Sequence, residues 1–348
     1  MLKVYSEIDD VLSFWEKEFL PTFLEYNFLK IYQNKHPEIK HIFITDIKLR
    51  LYAHIFSLKF KKTNNYLSKF NLSSFLLNFF SLDVLYLTNS FITNIPSFIN
   101  QNKINLSNIL DEVKFNFSLI VIPDFLYNEL LDKENTYSKI EVEEEMVLDV
   151  NKDWNCFDDY LNSLKKKYRN KVKTILNKSK SISIKRLSEN DLIRYKYEIQ
   201  KLFNQVVDSS QFTGPLFNTF SFSSFVSASY MRVDGYFIGN NLVAFSSEIQ
   251  NGTDLCSYFV GFDKQLNKTY SLYGRILVEN IKNSIILKKK RLIFGRTANE
   301  YKSNFGAYPI RSFVYLKIKN SFLSFLLTPI LSKLSLNKWR QRKPFKSF

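Results

Sequence analysis

The chain of 348 residues is longer than one typical domain, and a hydrophobic content of 45% supplies enough core to exclude a disordered protein. Two cysteines, Cys156 and Cys256, exclude a disulfide framework and fit a reducing compartment. The net charge of +16 is concentrated. Residues 165–196 hold twelve Lys or Arg against two acids, and residues 317–348 hold eight against none, so anionic partners are expected at two patches.

Met1–Leu20 carries Glu7, Asp9, Asp10, Glu16 and Glu18 and does not read as a secretory leader. No uninterrupted apolar run approaches the roughly 20 residues needed to cross a bilayer. A cytoplasmic location is expected, with the inner face of the membrane as a place of peripheral contact. Val11–Phe28 has helical spacing at Leu12, Trp15, Phe19 and Phe23. His41–Phe60 reads as strands around a turn at Asp46-Ile47-Lys48. Leu67–Phe80 reads as a helix, Val84–Thr88 as a strand and Asn105–Lys114 as a helix. Phe117–Ile122, stopped by Pro123, has the look of a central strand. Ile140–Val150 alternates acids with apolar residues and predicts an edge or half-exposed strand rather than a metal site at Glu141, Glu143 and Glu145. His36, His41 and His54 show no ligand spacing, and each reads as structural or exposed. This half shows no chemistry of its own.

Asn151–Cys156 is a polar break. Asn155 is the expected N-cap of a helix over Asp158–Lys178, with Asp158 at its positive end. Leu161, Leu164, Tyr168, Val172 and Ile175 form a narrow apolar stripe, while Lys165, Lys166, Lys167, Arg169, Lys171 and Lys173 occupy the other faces. Beyond it, Ser181–Leu187 is a strand, and Ser188 with Asp191 caps a helix to Val207. Ser221–Met231 is a second helix. Arg232–Ile238, Leu242–Ile249 and Leu255–Gly261 form a meander turning at Gly239-Asn240-Asn241 and Asn251-Gly252. A polar loop from Lys264 to Thr269, a helix to Leu287, a strand at Arg291–Phe294, a short helix at Thr297–Phe305 and a strand at Phe313–Ile318 complete the chain. Only eight glycines are present, and Gly261, Gly274, Gly295 and Gly306 mark this last region.

The order β-α-α-β-β-β-α-β-α-β resembles a domain of the GNAT superfamily of acyltransferases. The run Leu161-Asn162-Ser163-Leu164-Lys165-Lys166-Lys167-Tyr168-Arg169-Asn170-Lys171-Val172 is followed by Tyr270-Ser271-Leu272-Tyr273 and by Gly295-Arg296-Thr297-Ala298-x-Glu300-x-Lys302-x-x-x-Gly306-Ala307. Together these are similar to the Fem-type, peptidoglycan biosynthesis/acetyltransferase-like branch. The resemblance implies an α/β (α+β) fold of tandem GNAT-like domains, each a mixed, mostly antiparallel twisted sheet flanked by helices. It places a degenerate domain at 1–150, the acyltransferase domain at 151–320 and an apolar-then-basic tail at 321–348. It implies acyl-CoA or aminoacyl-tRNA as donor and no metal. The implied partners are a small-molecule or lipid-linked amine acceptor, tRNA, and the membrane surface through 321–348.

Transfer to an amine needs a polarised carbonyl, a deprotonated amine and a protonated leaving group. Backbone N–H groups of Leu255–Gly261 suit the first task. Glu248 and Asp263 are the candidate bases, although Glu248 could face solvent and Asp263 could cap the loop. Tyr301 is the candidate acid, or else a packed aromatic. The resemblance places the donor's pyrophosphate at Asn267–Arg275, with Tyr270, Ser271, Gly274 and Arg275, where one Gly stands in place of Gly-x-Gly. Arg296, Thr297 and Lys302 are candidates for anion binding where a strand turns into a helix. Cys256 reads as a small buried hydrophobe. The expected function is an acyltransferase of envelope or amino-acid-derived acceptors. The alternative is a non-catalytic protein of this fold binding membrane or RNA through its basic patches.

Overall fold

The structure, a computed structural model, describes residues 2–15, 20–47, 49–59, 81–92, 95–100, 103–132, 136–208, 215–325 and 338–346. The expected helix at Leu67–Phe80 lies outside the described residues. The chain divides into two compact units. One comprises Met1–Glu143, Gln211–Asn218 and Arg311–Asn337, the other Glu144–Ser210, Thr219–Ile310 and Lys338–Phe348. This division departs from the expected boundaries at 150 and 320, because the strands Ser138–Asp149 and Tyr308–Ile318 each begin in one unit and end in the other.

The first unit contains β1 (Lys3–Tyr5), α1 (Leu12–Trp15), α2 (Tyr26–Lys35), β2 (Lys40–Thr45), β3 (Leu49–Lys59), β4 (Ser81–Tyr86) and β5 (Phe98–Asn100). These are followed by β6 (Ile104–Asn105), α3 (Leu106–Glu112), β7 (Leu119–Pro123), α4 (Asp124–Tyr127), β8 (Leu130–Leu131) and β9 (Ser138–Asp149). Strands β1 to β4 are antiparallel, and β5 pairs with β3. Strand β7 runs parallel to β4 only from Val84↔Leu119 to Tyr86↔Val121, and Val314–Ile318 pairs antiparallel with β7. Side chains alternate across a strand. Ile42, Ile44, Leu51, Ala53 and Ile55 therefore join Leu106 and Ile109 in one core, while Phe56, Val84 and Tyr86 belong to a second.

The same alternation gathers all three histidines. His41 lies opposite His54 in the β2–β3 register, and all three rings are buried. The backbone N–H of Asn218 donates to His36 Nε2 at 3.1 Å, so the proton sits on Nδ1 and is donated to Tyr32 O at 3.0 Å. Ser90 N–H (3.3 Å) and Ser90 Oγ (2.8 Å) both donate to His54 Nε2. His54 Nδ1–H then donates to Tyr52 Oη at 3.3 Å, Tyr52 O–H to His41 Nδ1 at 2.8 Å, and His41 Nε2–H to His36 O at 3.1 Å. Every donor has an acceptor only if all three imidazoles are neutral. Burial drives the same outcome, pushing His36 and His41 down to about 4 and His54 well below its ordinary value. Histidines read one at a time as structural or exposed are a single buried chain.

The second unit takes the Glu144–Asp149 half of β9 and adds α5 (Phe157–Ser163), α6 (Lys166–Lys178), β10 (Ser183–Arg186), α7 (Glu189–Arg194), α8 (Lys196–Val207) and α9 (Phe222–Ser227). It continues with β11 (Met231–Ile238), β12 (Asn241–Asn251), β13 (Asp254–Phe262), α10 (Lys264–Tyr270), α11 (Leu272–Ile286), β14 (Arg291–Gly295), α12 (Asn299–Ser303) and β15 (Tyr308–Ile318). Within it the strands lie in the order β9-β14-β13-β12-β11-β10, antiparallel except for β13 beside β14. Ser188 and Asp191 form the expected capping box.

Four local expectations are corrected. The cap of α5 is Cys156, boxed with Asp159, one residue later than Asn155. The helix expected over 158–178 breaks at Leu164–Lys165, because the chain end is hydrogen-bonded there: Lys165 N donates to Pro344 O and Lys346 N to Ser163 O. The polar loop at Lys264–Thr269 is the helix α10, started by Asp263. Strand β9 is not an edge, since it lies between β15 and β14 in the sheet, although Glu141–Glu144 are half-exposed as the other expectation had it.

The neutral histidine chain makes the first unit acid-sensitive. Folded His36 and His41 lose their protons near 4 and unfolded ones near 6.5, so the unfolded chain binds more protons between those values and stability falls as pH drops through that window. Denaturant unfolding at pH 7 and pH 5 is expected to differ by on the order of 2 kcal/mol for each of these two residues. A double His36→Phe, His41→Phe variant should flatten that slope.

Candidate functional site

The site is built on a gap in the sheet of the second unit. Strands β13 and β14 pair in parallel only at Asp254↔Arg291, Leu255↔Leu292 and Cys256↔Ile293. From there β13 follows β12 to Phe262, while β14 follows β9 to Gly295, and the half-buried stretch Ser257–Val260 begins where the β13–β14 pairing ends. The divergence coincides with a bulge. The β12–β13 register jumps from Ser246↔Val260 to Glu248↔Ser257, and Ser247 Oγ fills the interruption by accepting from Phe259 N (2.8 Å) and donating to Phe259 O (2.9 Å). Bulges of this kind re-aim the neighbouring side chain.

That neighbour is Glu248, which is buried rather than solvent-facing. Its carboxylate accepts from Asn280 Nδ2 at 2.7 Å and from Asn283 Nδ2 at 3.0 and 3.1 Å, both from α11. Ser257 Oγ, on the first residue past the parallel pairing, donates to Asn280 Oδ1 at 3.1 Å. A hydrogen-bonded chain thus runs from the mouth of the gap to the carboxylate. Burial raises the Glu248 pKa above its usual range, with the two amides opposing, and Asp234 adds to the rise while Arg232 lowers it. Arg232 lies opposite Glu248 across β11–β12, and Arg186 pairs with Asp234 at 2.5 Å. A carboxyl shifted in this direction is the kind suited to take a proton near neutrality. Asn280, Asn283 and Ser257 were missed in the sequence, where polar residues on an amphipathic helix or a strand carry no mark of burial.

The other expected residues divide. Asp263 Oδ1 accepts from Gln265 N and Leu266 N at 2.9 Å each, so it is the cap of α10. Ser271, in the left-handed region at φ +53°, opens α11, but Asn267 Oδ1 already accepts from Tyr273 N at 2.9 Å. Arg275 is paired with Glu279 at 2.7 Å and reaches Ser179 Oγ at 3.2 Å. Gly274 faces side chains rather than open space, since a Cβ there would lie 2.6 Å from Tyr301 Oη and 2.9 Å from Ile175 Cδ1. Tyr301 stacks on Tyr273 with ring centroids 5.6 Å apart, and Lys171 Nζ sits 5.0 Å from its ring centroid. Tyr301, on the helix that follows the Arg296 loop, thus packs directly over Gly274. The space beside Gly274, where the resemblance places the pyrophosphate, is filled by side chains. Lys302 is buried, donating to Gly295 O at 2.9 Å and Arg296 O at 2.6 Å, so it holds the loop rather than a ligand. That loop is tightly wound, with positive φ at Gly295, Thr297 and Ala298, and it presents half-buried Arg296 and exposed Thr297.

The two basic segments of the sequence meet on this unit. Leu164 bridges to Phe345, Trp339 Nε1 donates to Glu144 at 2.8 Å, Arg342 N donates to Ser303 Oγ at 3.1 Å, and Arg342 pairs with Glu300. Lys165, Lys166, Lys167, Lys338, Arg340, Lys343 and Lys346 are exposed on one unit as a result. Burial, and then repulsion from Arg342 and Lys167, lower the Lys171 pKa. Among the described residues no helix is long and apolar enough to cross a membrane, and no group of three or more His, Cys, Asp or Glu could hold a metal ion.

Comparison with solved structures finds the same overall fold in other proteins. L-PGS from Bacillus licheniformis superposes with a TM-score of 0.54 at 9% identity, covering 94% of this chain and 96% of that one. The C-terminal domain of a protein designated lysylphosphatidylglycerol synthetase from Agrobacterium fabrum gives 0.52 at 8% identity, covering 93% and 95%. A conserved protein of unknown function from Bacteroides thetaiotaomicron gives 0.50 at 11%, covering 92% and 100%. The chain shares with these structures the fold described above, a mixed, mostly antiparallel sheet flanked by helices. No protein-family model and no curated protein matches the sequence.

The seating of the chain end can be tested at Gly306. Its φ is +101°, and a Cβ would fall 2.2 Å from Phe345 Cζ. Gly306→Ala is expected to expel Phe345, to cost roughly 1–3 kcal/mol of stability, and to open the bonds after Arg340 and Arg342 to trypsin. Phe345→Ala should expose the same bonds with the glycine intact. Continued protection in both variants contradicts this packing.

Proposed function

We propose that the protein is an acyltransferase that moves an acyl or aminoacyl group from a carrier to an amine acceptor, with the chemistry at the gap between β13 and β14. The observation that carries this reading is the buried Glu248, joined through Asn280 to Ser257 where the parallel pair separates. In this reading the donor carbonyl lies along Ser257–Val260, whose backbone polarises it. Glu248 withdraws the amine proton through the Asn280–Ser257 side, the amine nitrogen forms its bond to the carbonyl carbon, and the carrier's oxygen or sulfur leaves with a proton. Tyr301, its pKa raised by burial, is a candidate to supply that proton from the α11–α12 side.

The carrier we favour is charged tRNA rather than acyl-CoA. Asn267 and Tyr301 occupy the position where a pyrophosphate would meet the start of α11, whereas α6 and Lys338–Lys346 supply a broad cationic surface to a polyanion. A lipid-linked or amino-acid-derived amine as acceptor, in cell-envelope synthesis, fits the L-PGS and lysylphosphatidylglycerol synthetase named among the fold neighbours. The second reading is a protein of this fold that binds RNA or anionic lipid without turnover, and the filled phosphate position favours it over an acyl-CoA enzyme.

Acyl release from aminoacyl-tRNA and from acetyl-CoA, measured with an amine acceptor present, separates these readings. Glu248→Gln keeps the volume and an amide for hydrogen bonding but cannot take a proton. It is expected to lower kcat by roughly 10²–10⁴-fold while donor affinity and melting temperature stay near wild type. Wild-type turnover in Glu248→Gln removes that residue from the mechanism. Salt-sensitive binding of tRNA or anionic vesicles with no acyl release from either donor would establish the second reading.

A further inference from the structure

The first unit repeats the arrangement that opens the site in the second. Its parallel pair β4–β7 also lasts three residues, ending at Tyr86↔Val121 with one further hydrogen bond from Leu87 N to Val121 O. The segment that follows directly is Thr88-Asn89-Ser90, the counterpart of Ser257–Val260 in the other unit. Here it is buried, and three side-chain atoms around it are left unused. Thr88 Oγ1, Asn89 Nδ2 and Ser97 Oγ make no hydrogen bond among the described residues, although these residues are only 1%, 0% and 0% exposed. Their neighbours are fixed. Ser97 O accepts from Tyr52 N at 3.1 Å, Asn89 Oδ1 accepts from Phe91 N at 3.0 Å, and Ser90 closes on His54. A buried polar atom without a partner is costly, and these three lie on two segments tied to one buried histidine–tyrosine chain, Ser97 through the backbone of Tyr52 and Thr88-Asn89-Ser90 through His54.

The chemistry of the site limits what it holds. Its free groups are two hydroxyls and one amide N–H, and the amide can only donate, so the ligand must offer an acceptor. The three imidazoles are neutral and locked by backbone N–H donors at Ser90 and Asn218, so no cationic side chain of the cluster stands ready to offset a charge. Taking a bare anion out of water into this setting is unfavourable. We propose that the first unit carries a second ligand site, in which Thr88, Asn89 and Ser97 bind an uncharged carbonyl group, as in an amide, beside the His54–Ser90 pair. Phe91, which packs 6.1 Å from the His54 ring, and Tyr86 supply apolar wall around the polar floor. Asn89 and Ser97 are the specificity-determining residues, and His54 reports on occupancy because Ser90 bonds to it directly.

Acetamide, with acetate as its charged counterpart, is the probe. The full chain with labelled histidines is titrated with each at pH 7 and followed by ring NMR signals. Acetamide is expected to shift the His54 signals in a saturable way while acetate does not. Asn89→Leu and Ser97→Ala should each weaken the acetamide response at least tenfold; if Asn89→Leu does not fold, Ser97→Ala and Thr88→Val carry this arm. An absent acetamide response, as for a pocket that holds water only, overturns the proposal. So does an equal response to acetate, or a response unchanged by the variants. Acyl release measured on the same samples keeps this result separate from that of Glu248, because the two sites share no residue.

Discussion

Three residues of parallel pairing decide what the second unit can do. Asp254–Cys256 locks against Arg291–Ile293, and past that point each strand stays with its other neighbour. A sheet that parts in this way opens between its strands, and Ser257–Val260 lies half-buried along that opening. The bulge at Ser247 is the device that permits it. It keeps β12 and β13 joined through a serine hydroxyl while changing the register by which Glu248 meets Ser257.

Burying Glu248 next to that opening costs solvation, and the structure offsets the cost with two asparagine amides and a nearby arginine rather than a direct ion pair. A full salt bridge would have depressed the carboxyl pKa and removed it from proton transfer. Amides stabilise the carboxylate less strongly and leave the raised pKa in place. The cationic surface follows a different logic. Its charges come from segments far apart in the chain, joined because Phe345 inserts beside Gly306 and the backbone at Pro344–Lys346 interrupts the helix between α5 and α6. The helix break and the patch are thus one feature.

Much of this was legible in the sequence. Period-two alternation and the Asn251-Gly252 turn located the meander, and the order of elements in the second half gave the fold. The histidine cluster was not, since the expected turn at 46–48 would set His41 opposite Ala53, and the observed register, Thr45 opposite Arg50, differs by one residue. What remained hidden was tertiary. Asp263 and Lys302 looked like chemistry because a charged residue beside a glycine-marked loop reads the same whether it binds a ligand or caps a helix; only hydrogen-bond partners tell these apart. Asn280 and Ser257 had no signal at all, because their meaning arises from sharing a buried carboxylate. Gly274 was read as room for a phosphate and is room for Tyr301.

The central claim is that the carrier's acyl group enters the gap beside Ser257–Val260. Amide hydrogen exchange across β13, with and without aminoacyl-tRNA, tests it most directly. Slowed exchange at Ser257–Val260 on donor binding, together with the expected protection along α6, is the outcome this account requires. Protection confined to α6 and Lys338–Lys346, with β13 unchanged while donor is bound, would contradict it.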